Sequence, residues 1–251
     1  MTTNLIAPVA LACCLFASAS VAHVSPQFDL LAHFAFNGNA KDDTGQNPDF
    51  ALKNTTFVDG TIYLNGRYLN LDDDGHPRGA PGYRAIGDVS QLDYRTLSVI
   101  VRFKLETAPE GAGQPNLLTA GNHYRWFGLR FSDNAGGKLI VYFDNGDFAT
   151  RVEGSLIRPE VWTVIACAVD VPNHRVIVYQ DGTNVGAIEL PQDFVLDVLN
   201  PDAKDAKYAD KAWSFTNYAN AGVFRGWVDD FAVYGTVLSD DDLARLTTQR
   251  R

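Results

Sequence analysis

The stretch "GWVDDFAVY", residues 226–234, has the composition of a β-strand but carries two adjacent aspartates. Side chains alternate between the two faces of a strand. Strict alternation therefore puts Asp229 on the same face as Trp227 and Phe231, which is the more apolar one, and Asp230 on the other. Burying a charge without compensation is costly. We expect the Asp229 carboxylate to be protonated, hydrogen-bonded, paired with a cation or bound to a metal.

The rest of the chain consists of short strand-like runs separated by turn sequences. Pieces such as "SDNAGG" and "QDGT" favour tight turns. Strands joined in this way are typical of an antiparallel all-β sandwich or barrel. We predict strands at residues 30–37, 61–66, 68–71, 96–105, 116–121, 124–132, 138–144, 148–154, 162–171, 175–182, 184–190 and 223–234.

A helix is predicted only at the C-terminal end. Ser239 and Asp242 form a capping box with Asp in the place of Glu, and the acid-rich start suits a helix N-terminus. Within the strands, we expect Trp162 and Trp227 to be core residues. Cys167 lies among apolar residues and is expected to be a buried small hydrophobe.

The N-terminal segment "LIAPVALACCLFASASVA" is apolar and ends in small residues. It predicts a secretory signal peptide, residues 1–22, cleaved after Ala22, with a single domain over 23–251 and a secreted or periplasmic location. A membrane anchor and a lipoprotein attached at Cys13 are the alternatives. No later stretch is apolar and long enough to insert into a membrane after cleavage.

The net charge excludes some classes of binding partner, and the cysteine content excludes stabilisation by a disulfide. The net charge of −9 argues against binding to nucleic acid or to an anionic membrane. Cys167 is the one cysteine after the signal segment, so no intramolecular disulfide stabilises the domain.

Four segments, in order, resemble laminin-G-like domains of the concanavalin A-like lectin/glucanase (pentraxin-type) class. They are "FAFNGNAKDDTGQNPDFAL" (34–52), "SVIVRFKLE" (98–106), "PEVWTVIACAVDVPNHRVIVYQDGTNVG" (159–186) and "GWVDDFAVYGTVLSDDDLARL" (226–246). The resemblance implies an antiparallel two-sheet jelly-roll sandwich with a short C-terminal helix. It also implies sugar or protein ligands at a concave face or its rim.

The same resemblance implies one structural calcium ion where the loop after the first strand meets the last strand. Asp229 would be the carboxylate ligand of the last strand, Asp42 matches the aspartate of the family's D-x-(S/T)-G turn, and Asn37 would add a carbonyl oxygen. Ca²⁺ prefers six to eight oxygen ligands of these kinds. The alternative is that Asp229 accepts hydrogen bonds without a metal.

Catalytic motifs are missing from the sequence. The E-x-D-x-x-E arrangement of the related glycoside hydrolases is absent, as are H-E-x-x-H and G-x-S-x-G. If the strands that carry them are neighbours, however, a set of cationic and aromatic residues shares one non-core face. This candidate ligand-binding set is Arg102, Tyr124, Trp126, Arg130, Tyr142 and Arg151.

Cations beside aromatic rings suit a platform for a carbohydrate, and an acidic sugar in particular. We therefore expect a non-catalytic module that recognises a glycan or an extracellular protein. One alternative is a polysaccharide lyase that uses Tyr142 with Arg130 or Arg151 to neutralise a uronate and move a proton. A second alternative is a structural or adhesion module without a small ligand.

Overall fold

The fold is described from a computed structural model. The described residues are 29–47, 49–52, 55–65, 70–71, 77–78, 82–85, 96–108, 116–122, 125–131, 137–144, 149–194, 212–215 and 224–248. The predicted signal segment 1–22 lies outside them. Within this part of the chain, no helix has the length and hydrophobicity that spanning a bilayer requires.

Sheet I is built around the strand that contains the two aspartates. In the described residues its order is β15-β14-β13-β8-β17-β4-β3, and every neighbouring pair is antiparallel. β4 lies beside the first half of β17, and β1 lies beside the second half. The strands are β1 (Leu30–Phe34), β3 (Thr55–Val58), β4 (Thr61–Asn65), β8 (Thr96–Leu105), β13 (Trp162–Asp170), β14 (Arg175–Gln180), β15 (Thr183–Glu189) and β17 (Arg225–Tyr234).

Sheet II has the order β12-β11-β10-β9-β16-β7-β2 in the described residues and is also antiparallel. Two short strands pair separately, β5 (Asn70–Leu71) with β6 (Pro77–Arg78). The strands of sheet II are β2 (Ala51–Leu52), β7 (Gly82–Ala85), β9 (Asn116–Asn122), β10 (Arg125–Phe131), β11 (Lys138–Asp144), β12 (Ala149–Leu156) and β16 (Ala212–Phe215).

The core fills the space between the two sheets. Alternate residues of each strand point inward, so Val101 and Phe103 of β8 join Leu129 and Val141 of β10 and β11 in one apolar cluster. Phenylalanines are the largest side chains in it, and each contributes roughly 1.5–3 kcal/mol on burial. Their rings pack edge to face or stacked, among them Phe34, Phe36, Phe50, Phe215 and Phe231.

The predicted C-terminal helix is confirmed as α1 (Asp240–Thr248). The Ser239 hydroxyl accepts a hydrogen bond from the Asp242 N–H at 3.2 Å and donates one to the Asp242 carboxylate at 2.6 Å, which closes the capping box. Leu243 is fully buried against the outer surface of sheet I, in a second apolar cluster with Ile100 and Tyr179. α1 therefore covers one end of this outer surface.

A β-bulge changes the face on which half of "GWVDDFAVY" lies. The register between β17 and β8 shifts between Val228 and Asp230, so one extra residue is accommodated there. Val228 is thus fully buried on the core side together with Phe231. The expectation that Asp229 shares a face with both Trp227 and Phe231 is wrong, because strict alternation fails at the bulge. Asp229 lies on the outer side with Trp227, whereas Phe231 points into the core.

The expectation that Trp162 and Trp227 belong to the core is also wrong, because both are register partners of Lys104, which lies on the outer side of sheet I. Both are half-buried on the outer surface of sheet I. Trp227 pairs with Lys104, and Trp162 pairs with the same lysine from the other side. Cys167, in contrast, is buried as predicted, and burial raises the pKa of its thiol well above the ordinary value.

Candidate functional site

Asp229 is compensated by an arginine. The Arg102 guanidinium donates a hydrogen bond to Asp229 Oδ2 and forms an ion pair with it. Both side chains are largely buried, with 15% of the Arg102 side chain and 12% of the Asp229 side chain exposed. Of the four possibilities that the sequence left open, the structure shows the paired carboxylate. Arg102, which was predicted to bind a ligand, therefore forms an ion pair within the protein.

His33 of β1 lies between two further carboxylates. Its Nε2 is 3.1 Å from Asp230 Oδ1, and its Nδ1 is 3.2 Å from Asp43 Oδ2. Ionised carboxylates only accept hydrogen bonds, so this geometry fits a ring that carries hydrogen on both nitrogens. Sequence spacing alone does not predict this partner of His33, because Asp230 is 197 residues away along the chain.

Asp42 organises the loop that follows β1. Its two carboxylate oxygens accept six hydrogen bonds at up to 3.2 Å. Burial raises the pKa of Asp42, but the hydrogen bonds from His33, Thr44 and Asn47 outweigh that effect and hold the pKa below its usual value. The donors are the N–H groups of His33, Thr44, Gln46 and Asn47, the hydroxyl of Thr44 and the side-chain amide of Asn47.

These contacts do not fit a calcium ion at the predicted ligands. A hard cation needs free oxygen lone pairs, whereas the oxygens of Asp42 are surrounded by donors and Asp229 is paired with Arg102. The exposed Asn37 carbonyl accepts a hydrogen bond from the Asn39 amide at 3.4 Å. In the described residues, no three His, Cys, Asp or Glu side chains form a group that could hold a metal. Calcium stays a prediction from the resemblance.

An aromatic layer, which the sequence did not predict, crosses the outer surface of sheet I. It consists of Trp162, Lys104, Trp227 and Tyr63, which are register partners on four adjacent strands. Lys104 Nζ lies 4.1 Å from the Trp227 ring centroid and 5.4 Å from that of Trp162. The Arg102 guanidinium lies 4.3 Å from the Trp162 centroid.

The faces of the aromatic layer are used within the protein. Tyr63 packs at 5.2 Å against Trp227, and its hydroxyl donates a hydrogen bond to Glu106 at 2.9 Å. Burial and the Glu106 carboxylate together raise the pKa of Tyr63. Because cations and a second ring already cover these rings, we interpret the layer as packing rather than as a ligand platform. The layer could be predicted only from the pairing of Lys104 with Trp162 and Trp227. That pairing is visible only once the order of the strands in the sheet is known.

Three of the residues predicted to bind a ligand do lie together, on the outer surface of sheet II. The Arg130 guanidinium lies 3.8 Å from the ring centroid of Tyr142, and Tyr142 is the register partner of Arg151. Arg151 is exposed and lies 3.4 Å from the Glu153 carboxylate. The neighbouring residues Leu129, Val141 and Val152 point into the core, which leaves this trio on the other side. We call Arg130, Tyr142 and Arg151 the cationic face.

Arg102 is not part of the cationic face. The prediction grouped it there on the condition that the strands are neighbours, but β8 pairs with β13 and β17 in sheet I, whereas β10, β11 and β12 belong to sheet II. Arg102 therefore lies on the opposite outer surface of the sandwich. Trp126 belongs to β10, where its backbone pairs with Gly121 and Asp144. Tyr124 lies outside the described residues.

The Laminin_G_3 family, described as the concanavalin A-like lectin/glucanases superfamily, matches residues 78–244, which is more than half of the chain. The chain belongs to this superfamily. The predicted resemblance and the predicted jelly-roll sandwich are thus confirmed. No curated protein sequence matches the chain.

Solved structures share the superfamily fold with this chain at low sequence identity. Domain 4 of AbnA, an extracellular GH43 arabinanase from Geobacillus stearothermophilus in complex with arabinotriose, has 18% identity, a TM-score of 0.63 and coverage of 88% of this chain and 98% of that domain. The CBM40 of the Ruminococcus gnavus IT-sialidase, bound to α2,3 sialyllactose, has 20% identity, a TM-score of 0.53 and coverage of 75% and 96%.

A third similar structure is larger than this chain. It is the binding domain of botulinum neurotoxin DC in complex with rat synaptotagmin II, with 13% identity, a TM-score of 0.64 and coverage of 87% of this chain and 51% of that one. At these identities, the three likenesses establish the fold of the chain.

Proposed function

We propose that this chain is a non-catalytic recognition module that binds an acidic glycan through the cationic face. The observation that carries this proposal is the placement of Arg130 over the Tyr142 ring with Arg151 directly across the strand pair. An arginine held against an aromatic ring loses little freedom on binding, so it presents a pre-oriented fork to a carboxylate.

The charge of the surroundings favours an anionic group at this place. The whole chain carries a net charge of −9, so an acidic ligand is repelled except where cations are concentrated. Glu153 offsets part of the charge of Arg151, but exposed ion pairs of this kind are weak and exchange readily with a ligand.

Membership of the superfamily and the nature of the similar structures support recognition of a glycan or of a protein. Two of those structures contain bound sugars, arabinotriose and α2,3 sialyllactose, and the neurotoxin binding domain is in complex with a protein. As part of the proposal, this chain also recognises a glycan or a protein. It does so outside the cytoplasm, as the signal segment 1–22 predicts. N-terminal sequencing of exported protein that begins at His23 tests the location.

The proposal is tested by binding to matched acidic and neutral oligosaccharides, such as sialyllactose and oligouronates beside lactose and arabinotriose. We expect affinity for an acidic sugar that falls as salt is raised, because charge–charge attraction is screened. Arg151→Ala should reduce the affinity at least tenfold, whereas Arg158→Ala, an exposed arginine in the turn after β12, should leave it unchanged.

Binding that is equal for neutral sugars, or equal in Arg151→Ala, would contradict the proposal. Formation of unsaturated uronate from oligouronates, lost in Tyr142→Phe, would replace it with the lyase alternative. Failure of every sugar to bind would favour a protein partner or an adhesion role.

A further inference from the structure

We propose that Arg102 and His33 act as built-in counter-cations at the junction of the first and last strands, so that the domain needs no divalent cation there. This is the place where the superfamily resemblance predicts calcium. The proposal concerns the stability of the fold and is independent of the ligand proposed for the cationic face.

The first step is the charge balance at the junction. Asp43, Asp229 and Asp230 supply three carboxylates from the loop after β1 and from β17. Arg102 is paired with Asp229, and the two ring nitrogens of His33 are 3.1 and 3.2 Å from Asp230 and Asp43. Each of the three carboxylates therefore already has a protein partner: Arg102 for Asp229, and the one ring of His33 for both Asp230 and Asp43.

The second step is how Asp229 comes to lie beside Arg102. Asp230 is the register partner of Arg102, and the bulge at 228–230 brings Asp229 to the same outer surface. Without the bulge, strict alternation would place Asp229 and Asp230 on opposite faces, and only one of them could reach a cation on the outer surface. The bulge thus delivers both aspartates of "GWVDDFAVY" to cations, one to Arg102 and one to His33.

The third step concerns Asp42, the other aspartate that was predicted to bind calcium. Asp42 accepts six hydrogen bonds from its own loop and from His33, including both nitrogens of Asn47. A calcium ion could gain Asp42 only by displacing several of these donors and would leave them unsatisfied. The loop is therefore shaped by hydrogen bonds where the prediction required metal–oxygen bonds.

The test uses the purified full domain, freed of metal and then measured with EDTA or with added Ca²⁺. We expect the same Tm in both conditions and no stoichiometric calcium in the protein as isolated. A Tm that falls in EDTA and recovers with Ca²⁺, or one tightly held calcium per chain, would overturn the proposal.

A variant makes the role of Arg102 visible. Arg102→Met should lower the Tm by roughly 10 °C, since breaking a buried ion pair is strongly destabilising and a domain of this size loses a few degrees per kcal/mol. Added Ca²⁺ should restore part of that loss, because Asp229 and Asp230 then lie together with one cation removed. Lys104→Met is the matched control, since Lys104 lies on the same strand and face but is paired with the exposed Glu160. Its Tm should not respond to Ca²⁺.

If Arg102→Met does not fold, the double variant Arg102→Met/Asp229→Leu removes both charges and is expected to fold, because an apolar pair can replace a buried ion pair. An Arg102→Met protein that is as insensitive to Ca²⁺ as Lys104→Met would contradict the assignment of Arg102 to the cation position. A double variant that also fails to fold would contradict the pairing of Arg102 with Asp229.

Discussion

At the scale of single residues, Asp42 shows how one carboxylate holds a loop in place. The "KDDTGQN" loop has no regular structure of its own, and its N–H groups converge on the Asp42 oxygens. A buried donor that loses its acceptor costs roughly 1–3 kcal/mol. Asp42 is therefore expected to contribute much more to stability than an ordinary loop aspartate.

Replacing Asp42 by Asn tests this contribution. Asp42→Asn keeps the size but turns one acceptor into a donor that faces the N–H groups of Gln46 and Asn47. We expect a loss of roughly 3 kcal/mol in the free energy of unfolding, measured by urea denaturation. Asp49→Asn, at an exposed position just after the loop, is the control and should change stability by less than about 0.5 kcal/mol. Equal effects of the two changes would show that the hydrogen bonds are not stabilising.

The lowered pKa of Asp42 also predicts how stability depends on pH. The folded-state pKa lies below the value in the unfolded chain, which is about 3.9 for an aspartate. Its contribution is therefore fully present above that unfolded value and is lost as the pH falls through the folded value. Urea midpoints measured from pH 6 down to pH 2 should fall less steeply in Asp42→Asn than in the unchanged protein. Parallel curves would assign the acid sensitivity to other carboxylates.

At the scale of elements, the bulge in β17 shows where prediction from alternating apolar and polar residues fails. Alternation located this strand correctly and also placed β8, β11 and β13, because each has a run of inward-facing apolar residues. It failed at 228–230, where one extra residue is inserted. An insertion depends on the partner strand, so the local pattern of β17 contains no signal for it.

Gly226 at the start of β17 is required by the close approach of β8. Its φ is +154°, and a Cβ atom there would lie 2.0 Å from the Lys104 carbonyl oxygen. Gly226→Ala is expected to cost roughly 2–4 kcal/mol, because backbone must move to relieve the overlap.

Gly45→Ala is the matched control for this change. Gly45 also has a positive φ, of +68°, but a Cβ atom there would have no neighbour within 4 Å. It should cost only the backbone term, about 1 kcal/mol. Thermal or urea unfolding of both variants separates the overlap from the strain, and equal losses would contradict the close packing of β17 against β8.

At the scale of the whole molecule, the sequence pattern did not predict to which of the two sheets each strand belongs. The cationic face was predicted in part, since Arg130, Tyr142 and Arg151 lie on consecutive strands joined through neighbouring pairs. Arg102 was assigned to the same face, but β8 joins sheet I through pairings with residues more than 55 positions away. Local alternation shows which side chains leave the core, but it does not show on which side of a sandwich they emerge.

If the cationic face binds the ligand as proposed, the two outer surfaces have different roles, and substitutions should separate them. Lys104→Met removes the cation between two indole rings and should lower stability by roughly 1–2 kcal/mol, while leaving binding to an acidic sugar unchanged. Arg151→Ala removes an exposed cation with a weak surface ion pair, so stability should change by less than about 1 kcal/mol while binding is lost. Calorimetric unfolding and sugar titration of both variants measure the two effects side by side. Loss of binding in Lys104→Met at full stability would move the ligand site to sheet I, because the aromatic layer would then be exchanging its internal contacts for contacts with a sugar.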